Sequence, residues 1–341
     1  MASTKTERNS SIELLRITSM FFIVLGHYIG NGLNIYELHP IMKLCNISIL
    51  SFCIIGVNCF VIISGRFLIK DPLKSSVRIF LEALFYSLLF FFLLSEHVGK
   101  LDVKHFLKAF FCVSHGGLWF VSCYVQLCLL SPVLNRALKN APPKLLIWYV
   151  IFLTFLNEYF GFFLHGSINP NGFNIMHFIY LYVIGYTIGK INIPIKIQTA
   201  IIGYIILSII IACFAIILFK YETNLYQKYA FNYNNPLILI SSILCFIAFS
   251  KHTFVNRKLN FISKGCFAVY LIQGNPYLKE YIYGCIGTLP SYFNGFCLYG
   301  IIVLFAAMTV FLFCMIDIGR RAIFARLKLD KILNKVNFKY E

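Results

Sequence analysis

The sequence has few charged residues for its length. Of its 341 residues, 13% are charged and 59% are hydrophobic, whereas an average soluble domain has about 25% and about 45 to 50%. A chain with so little charge cannot present a fully water-facing surface. A soluble enzyme and a secreted disulfide scaffold are therefore excluded, and the composition is typical of a polytopic helical membrane protein.

Acidic residues are especially scarce. Asp and Glu together number 13, against 30 Lys and Arg, so the formal net charge is +17. In a soluble protein such an excess would suggest a nucleic-acid partner, because basic surface neutralises phosphates. In a membrane protein, Lys and Arg collect in cytoplasmic loops for topological reasons. We therefore expect membrane lipids as partners and no nucleic acid.

The chain also lacks the cysteine spacing of a metal or redox site. None of its 12 cysteines forms a CxxC pair, and most lie inside apolar runs, for example Cys53, Cys123 and Cys213. Such cysteines are typical of small buried hydrophobic residues. Neither a metal site nor a disulfide is predicted.

What the sequence does contain is a series of apolar runs of about twenty residues, long enough to cross a bilayer as α-helices. We predict an all-α, polytopic integral membrane helical bundle of about ten transmembrane helices, which places both termini on one side. The ten candidate spans cover approximately residues 12–31, 47–69, 77–95, 117–136, 145–165, 173–189, 197–219, 236–250, 262–278 and 294–316.

The basic residues orient these spans. Of the 30 Lys and Arg, 21 lie on the side of the N-terminus and 7 on the opposite side. Because cytoplasmic loops hold the excess of positive charge, both termini are predicted to be cytoplasmic. Residues 1–316 then form the membrane domain, and residues 317–341 a basic amphipathic cytoplasmic tail on the inner leaflet. A disordered basic tail is the alternative.

The first predicted span contains three ionisable residues, which are costly in a bilayer and normally mark a site or pathway. Glu13 and Arg16 are one helical turn apart and can pair on the same face. Arg16 and His27 are eleven residues apart, which places them on one stripe, about 16 Å apart along the helix axis. Alternatively, Arg16 reaches the inner headgroups and His27 is an interfacial histidine. The shared stripe favours a functional role.

Further polar residues lie near the outer ends of predicted spans. The candidates to line an outward-facing cavity together with His27 are His115, Asn157, Glu158, His165 and His177. Each of them, taken singly, is also explained by an interfacial hydrogen bond.

Two other spans carry isolated polar groups. Gln273 is either an interhelical hydrogen-bonding residue or a substrate contact. Asn58 lies in the middle of the second span, and Arg66 lies at its end, facing either the inner headgroups or a cytoplasmic phosphate ligand.

Four segments occur in order along the chain: ELLRITSMFFIVLGH (13–27), GVNCFVIISGRFLI (56–69), GGLWFVSCYVQLCLLSPVLN (116–135) and FISKGCFAVYLIQGNPYL (261–278). Together they resemble the membrane proteins of acyltransferase family 3. The hallmark of that family is an Arg followed by ten residues and then a His, as in Arg16 to His27. The chain departs from the family at two positions: Gln273 stands where a His is common, and Arg66 stands where an aromatic residue is usual.

The resemblance implies acyl transfer, typically of acetyl, from cytoplasmic acyl-CoA to a hydroxyl of a surface glycan or lipid-linked sugar. It also implies a bacterial inner membrane, with acyl-CoA as co-substrate and no bound cofactor. His27 is then the candidate general base, or alternatively a transient acyl-histidine. Candidates for holding the CoA phosphates are Arg16 with its partner Glu13, Arg66, Lys74 and Arg78. Candidates for orienting the donor or polarising its carbonyl are Asn58, Ser64, Trp119 and Gln273.

Two other functions stay open. A bundle with a polar interior also suits a transporter or flippase of a lipid-linked saccharide. The Gln at position 273 also suits an inactive family member that acts as a sensor or assembly partner, because Gln does not relay a proton at neutral pH.

Overall fold

The computed structural model describes residues 8–115, 117–191, 193–222 and 225–335, the side chains at 115, 330, 334 and 335 excepted. All regular structure in this part of the chain is helical, which confirms the all-α fold class. In chain order the α-helices are α1 (Ser10–His27), α2 (Pro40–Cys53), α3 (Gly56–Phe67), α4 (Pro72–Leu94), α5 (Val103–Phe110), α6 (Cys112–His115), α7 (Trp119–Asn140), α8 (Pro143–Thr154), α9 (Ile175–Lys190), α10 (Ile197–Tyr221), α11 (Pro236–Ser250), α12 (Arg257–Ile262), α13 (Cys266–Gln273), α14 (Lys279–Thr288), α15 (Gly295–Arg326) and α16 (Leu329–Lys335).

Seven helical segments of the described chain are long and apolar enough to cross a membrane, as expected for a multi-pass membrane protein. Some of them join two elements: π-helical turns extend α1 to Gly32 and α8 to Phe163, and α2 and α3 form one segment. The seven segments are Ser10–Gly32, Pro40–Phe67, Pro72–Leu94, Trp119–Asn140, Pro143–Phe163, Ile197–Tyr221 and Gly295–Arg326.

Three of the ten predicted spans correspond to shorter helices. α9 has 16 residues and α11 has 15, which gives lengths of about 22 to 24 Å against a hydrocarbon core of about 30 Å. In the predicted span 262–278, α13 ends at Gln273. Pro276 follows shortly and, lacking an N–H, does not support a continuing helix. The number of ten spans therefore remains a prediction.

Both ends of the described chain lie at the same end of the bundle. The backbone N–H of Ser10 donates to the carbonyl of Phe254, 2.8 Å away, so α1 begins beside the segment between α11 and α12. A Cβ on Gly265, just before α13, would lie 3.0 Å from the Cα of Cys314 in α15. We call this the N-terminal end and the opposite one, where α1 ends at His27, the distal end. Which end faces the cytoplasm remains a prediction.

Helices α3 and α9 approach each other backbone to backbone. A Cβ on Gly65 would overlap the main chain of Tyr182, and a Cβ on Gly185 would overlap the carbonyl of Ile62. Small residues at such positions let membrane helices pack closely. This contact fixes the rotation of α3 about its axis. As a result, Ser64 contacts α7, and Arg66 lies against α9.

A buried ion network joins α4 to α15. Arg320 Nη2 lies 3.2 Å from Glu82 Oε1, and Arg320 Nε lies 2.6 Å from Asp317 Oδ1. The hydroxyl of Tyr86 donates to the same Asp317 oxygen at 2.9 Å. All four side chains are buried.

The first part of the predicted tail is helical and contributes to this network. α15 continues without a break through 317 to Arg326, so the first residues of the segment 317–341 are part of the bundle. α16 follows, and residues 336–341 lie outside the described chain. The position of the remaining tail on a leaflet stays a prediction.

Candidate active site

The acidic residue of the first helix pairs with Arg16 as predicted. Glu13 is buried, and its Oε1 lies 3.5 Å from Arg16 Nη1. Its Oε2 accepts a hydrogen bond of 2.7 Å from the hydroxyl of Ser263, in the turn before α13. Arg8 also approaches Oε1, at 3.7 Å, but its side chain is 57% exposed, compared with 31% for Arg16. Glu13 therefore anchors Arg16 at the N-terminal end of α1.

At the distal end of α1, His27 meets Gln273 of α13. Nδ1 of His27 lies 2.9 Å from Oε1 of Gln273, and Nε2 of Gln273 donates to the hydroxyl of Tyr283 at 3.1 Å. The Gln273 side chain is fully buried, whereas His27 is partly exposed. Because an amide oxygen only accepts hydrogen bonds, Nδ1 of His27 carries the proton, and Nε2 is left as the basic nitrogen.

A third polar group joins α3 to α7. The hydroxyls of Ser64 in α3 and Tyr124 in α7 are 2.8 Å apart. Ser64 donates its own proton to the carbonyl of Phe60, at 3.0 Å, so Tyr124 is the donor to Ser64. This hydrogen bond joins α3 to α7, and α3 also packs against α1.

Trp119 forms part of an aromatic wall at the start of α7. Its ring centroid lies 4.6 Å from that of Phe173, and it stacks on Tyr233 with centroids 5.7 Å apart. The backbone carbonyl of Tyr233 accepts a hydrogen bond of 3.0 Å from Nδ2 of Asn58. Asn58 therefore supports this wall through its hydrogen bond to the main chain of Tyr233.

Asn58 belongs to a buried polar network separate from His27. Its Oδ1 accepts a hydrogen bond of 3.0 Å from Nε2 of His177. Asn169 Nδ2 lies 3.5 Å from His177 Nδ1 and donates to Asn157 Oδ1 at 2.7 Å. All four side chains have zero exposed area.

The expectation that His177 and Asn157 line an open cavity with His27 is therefore wrong. These side chains are turned inward because the turn before α9 brings several asparagines together, and their amides satisfy one another. Glu158 is also buried, and its two carboxylate oxygens have no hydrogen-bond partner among the described residues. His165 is exposed, and its ring packs against Tyr229.

The cations predicted to hold the CoA phosphates do not all lie on one side of α3. Arg66 is exposed and lies against Gly189 of α9, where an added Cβ would overlap its guanidinium. Residues 64 and 66 are about 200° apart around a helix, so Arg66 and Ser64 are on opposite faces of α3. Arg66 is thereby separated from Arg16. Arg78 lies one turn before Glu82 on α4, away from Arg66 at the end of α3.

Three residues of this arrangement were not singled out from the sequence. Ser263 and Tyr124 lie inside the segments 261–278 and 116–135, but neither is charged, and Ser and Tyr are frequent in this chain. Tyr283 lies outside all four segments. They are identified as part of the site only by their hydrogen bonds: Ser263 to Glu13, Tyr124 to Ser64, and Tyr283 to Gln273.

The chain is similar to a known protein family over most of its length. Residues 9–316 match a family model described as Acyltransferase domain. That range contains every candidate residue, from Glu13 to Gln273. No curated protein and no solved structure matches the chain.

Proposed function

Because the chain belongs to acyltransferase family 3, we propose that it is a membrane-bound O-acyltransferase of saccharides. In this proposal an acyl group, with acetyl as the first choice, moves from cytoplasmic acyl-CoA to a hydroxyl of a surface or lipid-linked saccharide. The membrane is the cytoplasmic membrane of a bacterium. The observation that carries the proposal is the His27–Gln273 pair at the distal end of α1.

His27 is the proposed general base. Gln273 accepts the Nδ1 proton, so Nε2 can take a proton from the acceptor hydroxyl. The hydroxyl oxygen then attacks the thioester carbonyl, a C–O bond forms, and the C–S bond breaks. The leaving CoA thiolate takes up the proton from His27. An acyl-histidine intermediate is the alternative, in which Nε2 itself attacks the carbonyl before the hydroxyl does.

Arg16 is the proposed contact of the CoA phosphates. The guanidinium forms strong charge-assisted hydrogen bonds with phosphate oxygens, and Glu13 holds it in place. The distance of about 16 Å along α1 between positions 16 and 27 is on the scale of the arm that joins the phosphates to the thioester. Arg78 at the start of α4 is a second candidate contact.

The remaining candidates have positioning roles in this proposal. Ser64 and Tyr124 are placed along the path of the arm, since their hydrogen bond joins α3 to α7, and α3 packs against α1. Trp119 forms a wall at the distal end, and Asn58 supports it through Tyr233. Arg66 is omitted from the donor site, because it lies on the other face of α3.

The test is the release of free CoA from acetyl-CoA by the full-length protein in lipid nanodiscs, with a surface-glycan extract as acceptor. We expect release to depend on the extract and to be lost in His27→Ala. His165→Ala is the matched control, since His165 is an exposed histidine outside the pair, and we expect it to keep wild-type activity.

Two outcomes contradict the proposal. A well-expressed His27→Ala protein that keeps wild-type turnover removes the catalytic role. If the wild type neither binds nor consumes any acyl-CoA supplied, the donor assignment fails, and transport or an inactive partner becomes the better account.

A further inference from the structure

A second group of cations surrounds a pocket at the N-terminal end of the bundle. The pocket has a volume of about 310 Å³ and lies where α3, α9 and α11 end. Arg66, Lys190 and Lys251 line it, together with Ser250 and the isoleucines of α9, α11 and the segment that follows α9. No Asp or Glu is among the lining residues.

This pocket is separated from the candidate active site by α3. Ser64 contacts Tyr124 on one side of that helix, and Arg66 lies against Gly189 on the other. The close contact at Gly65 and Gly185 leaves no space between α3 and α9 for a ligand to pass. A molecule in the pocket therefore touches neither Arg16 nor His27.

The pocket carries a positive charge without an internal counterion. Among the described residues, Arg66 and Lys190 have no ion pair or hydrogen bond through their side chains. Lys251 Nζ donates to the carbonyls of Ile193, at 2.8 Å, and Ile195. Three helix ends add a partial negative charge of about one half each, which is less than the three full positive charges. The pocket therefore attracts an anion.

The walls indicate what kind of anion fits. A volume of about 310 Å³ is more than a phosphate group alone needs. Isoleucines line the rest of the pocket, so the ligand combines a negative group with an apolar part. α10 begins just beyond the pocket, and its isoleucines at 201, 202, 205 and 206 are exposed along its length.

We propose that this pocket binds the phosphate of an anionic phospholipid headgroup, with the acyl chains lying on the exposed face of α10. Arg66 and Lys190 bind the phosphate oxygens, and the isoleucines contact the glycerol backbone. Basic pockets between membrane helices suit such headgroups, because both lie at the level of the bilayer surface. The site is independent of acyl transfer.

The test is a binding titration of the full-length protein in detergent with short-chain phosphatidylglycerol, followed by native mass spectrometry. The double variant Arg66→Gln/Lys190→Gln removes two charges from the pocket, and we expect it to weaken binding roughly 30-fold. The control is Lys139→Gln/Lys144→Gln, which removes two exposed charges from the same end of the bundle outside the pocket. We expect the control to bind as the wild type does, and phosphatidylcholine to bind weakly to all three.

Two results overturn the proposal. One is equal affinity for phosphatidylglycerol in the pocket variant and the wild type. The other is displacement of the lipid from the wild type by CoA, which would assign the pocket to the donor phosphates. Lipid binding is measured without turnover, so a failure of acyl transfer leaves this test intact.

Discussion

The amide oxygen of Gln273 lies 2.9 Å from Nδ1 of His27, although 246 residues separate them in the chain. Gln273 cannot relay a proton, but its amide oxygen holds the proton of His27 on Nδ1. The Gln at 273 is compatible with catalysis, because the imidazole needs an acceptor at Nδ1 and the amide oxygen supplies it. In the proposed reaction, the proton transfer takes place at Nε2 of His27.

Gln273→Leu tests this assignment. Without the acceptor, the His27 ring loses its fixed tautomer and orientation, so we expect kcat to fall about 100-fold, the lower end of what proton-transfer catalysis contributes. The KM for acetyl-CoA should stay unchanged, because Arg16, the proposed contact of the donor phosphates, lies at the other end of α1. Gln273→His supplies a ring nitrogen as the acceptor for Nδ1, so its kcat should be higher than that of Gln273→Leu. A parallel loss of folded protein, seen in the thermal melt, would instead assign Gln273 a packing role.

Arg16→Gln tests the donor site. A charge-assisted hydrogen bond contributes about 1.5 to 3 kcal/mol, so we expect the KM for acyl-CoA to rise at least about tenfold. Arg8→Gln is the matched control, because Arg8 approaches the same Glu13 oxygen from a more exposed position. We expect its KM to change less than about twofold. Equal effects of the two variants would show that Arg16 has no special contact with the donor.

Arg320→Met tests the network between α4 and α15. It leaves the buried Glu82 without Arg320, while Asp317 keeps Arg321, whose Nε lies 3.0 Å from Oδ2. Breaking a buried pair costs about 3 to 5 kcal/mol. We expect a clear drop in the midpoint of thermal unfolding in detergent. Arg326→Gln, at the exposed end of the same helix, should leave the midpoint unchanged. A melt of Arg320→Met that matches the wild type would mean that the two carboxylates are stabilised in another way.

Gly65→Ala tests the close packing of α3 against α9. The added methyl group overlaps the main chain of Tyr182, and such overpacking costs about 1 to 3 kcal/mol. Gly319→Ala is the opposite case, since no atom lies within 4 Å of the added Cβ on α15. Because Ala favours a helix over Gly by about 1 kcal/mol, this control should be neutral or stabilising. The two variants are compared by thermal unfolding, and equal midpoints would contradict the backbone contact.

The sequence could predict contacts within one helix, because helical spacing is fixed geometry. The Glu13–Arg16 pair and the common stripe with His27 follow from positions alone. Contacts between distant segments do not follow in this way. Ser263 at Glu13 and Tyr124 at Ser64 depend on how α13 and α7 pack against α1 and α3, and a hydroxyl in an apolar run carries no signal of its partner.

The same limit explains the misplaced polar residues. His177 and Asn157 were expected to join His27 because all three lie near the same end of predicted spans. That argument gives the depth of a residue but not the direction of its side chain. The asparagines around 169 supply enough hydrogen bonds to turn both side chains inward.

The ion network between α4 and α15 has a consequence for how the protein is made. Synthesis proceeds from the N-terminus, and 231 residues separate Tyr86 from Asp317. Glu82 therefore enters the membrane long before Arg320 exists, and its ion pair with Arg320 forms only when α15 arrives. A chain shortened before Asp317 would keep all the residues proposed for catalysis and would leave the buried Glu82 without Arg320. Insertion of α15 is thus the step that closes the ion network with α4.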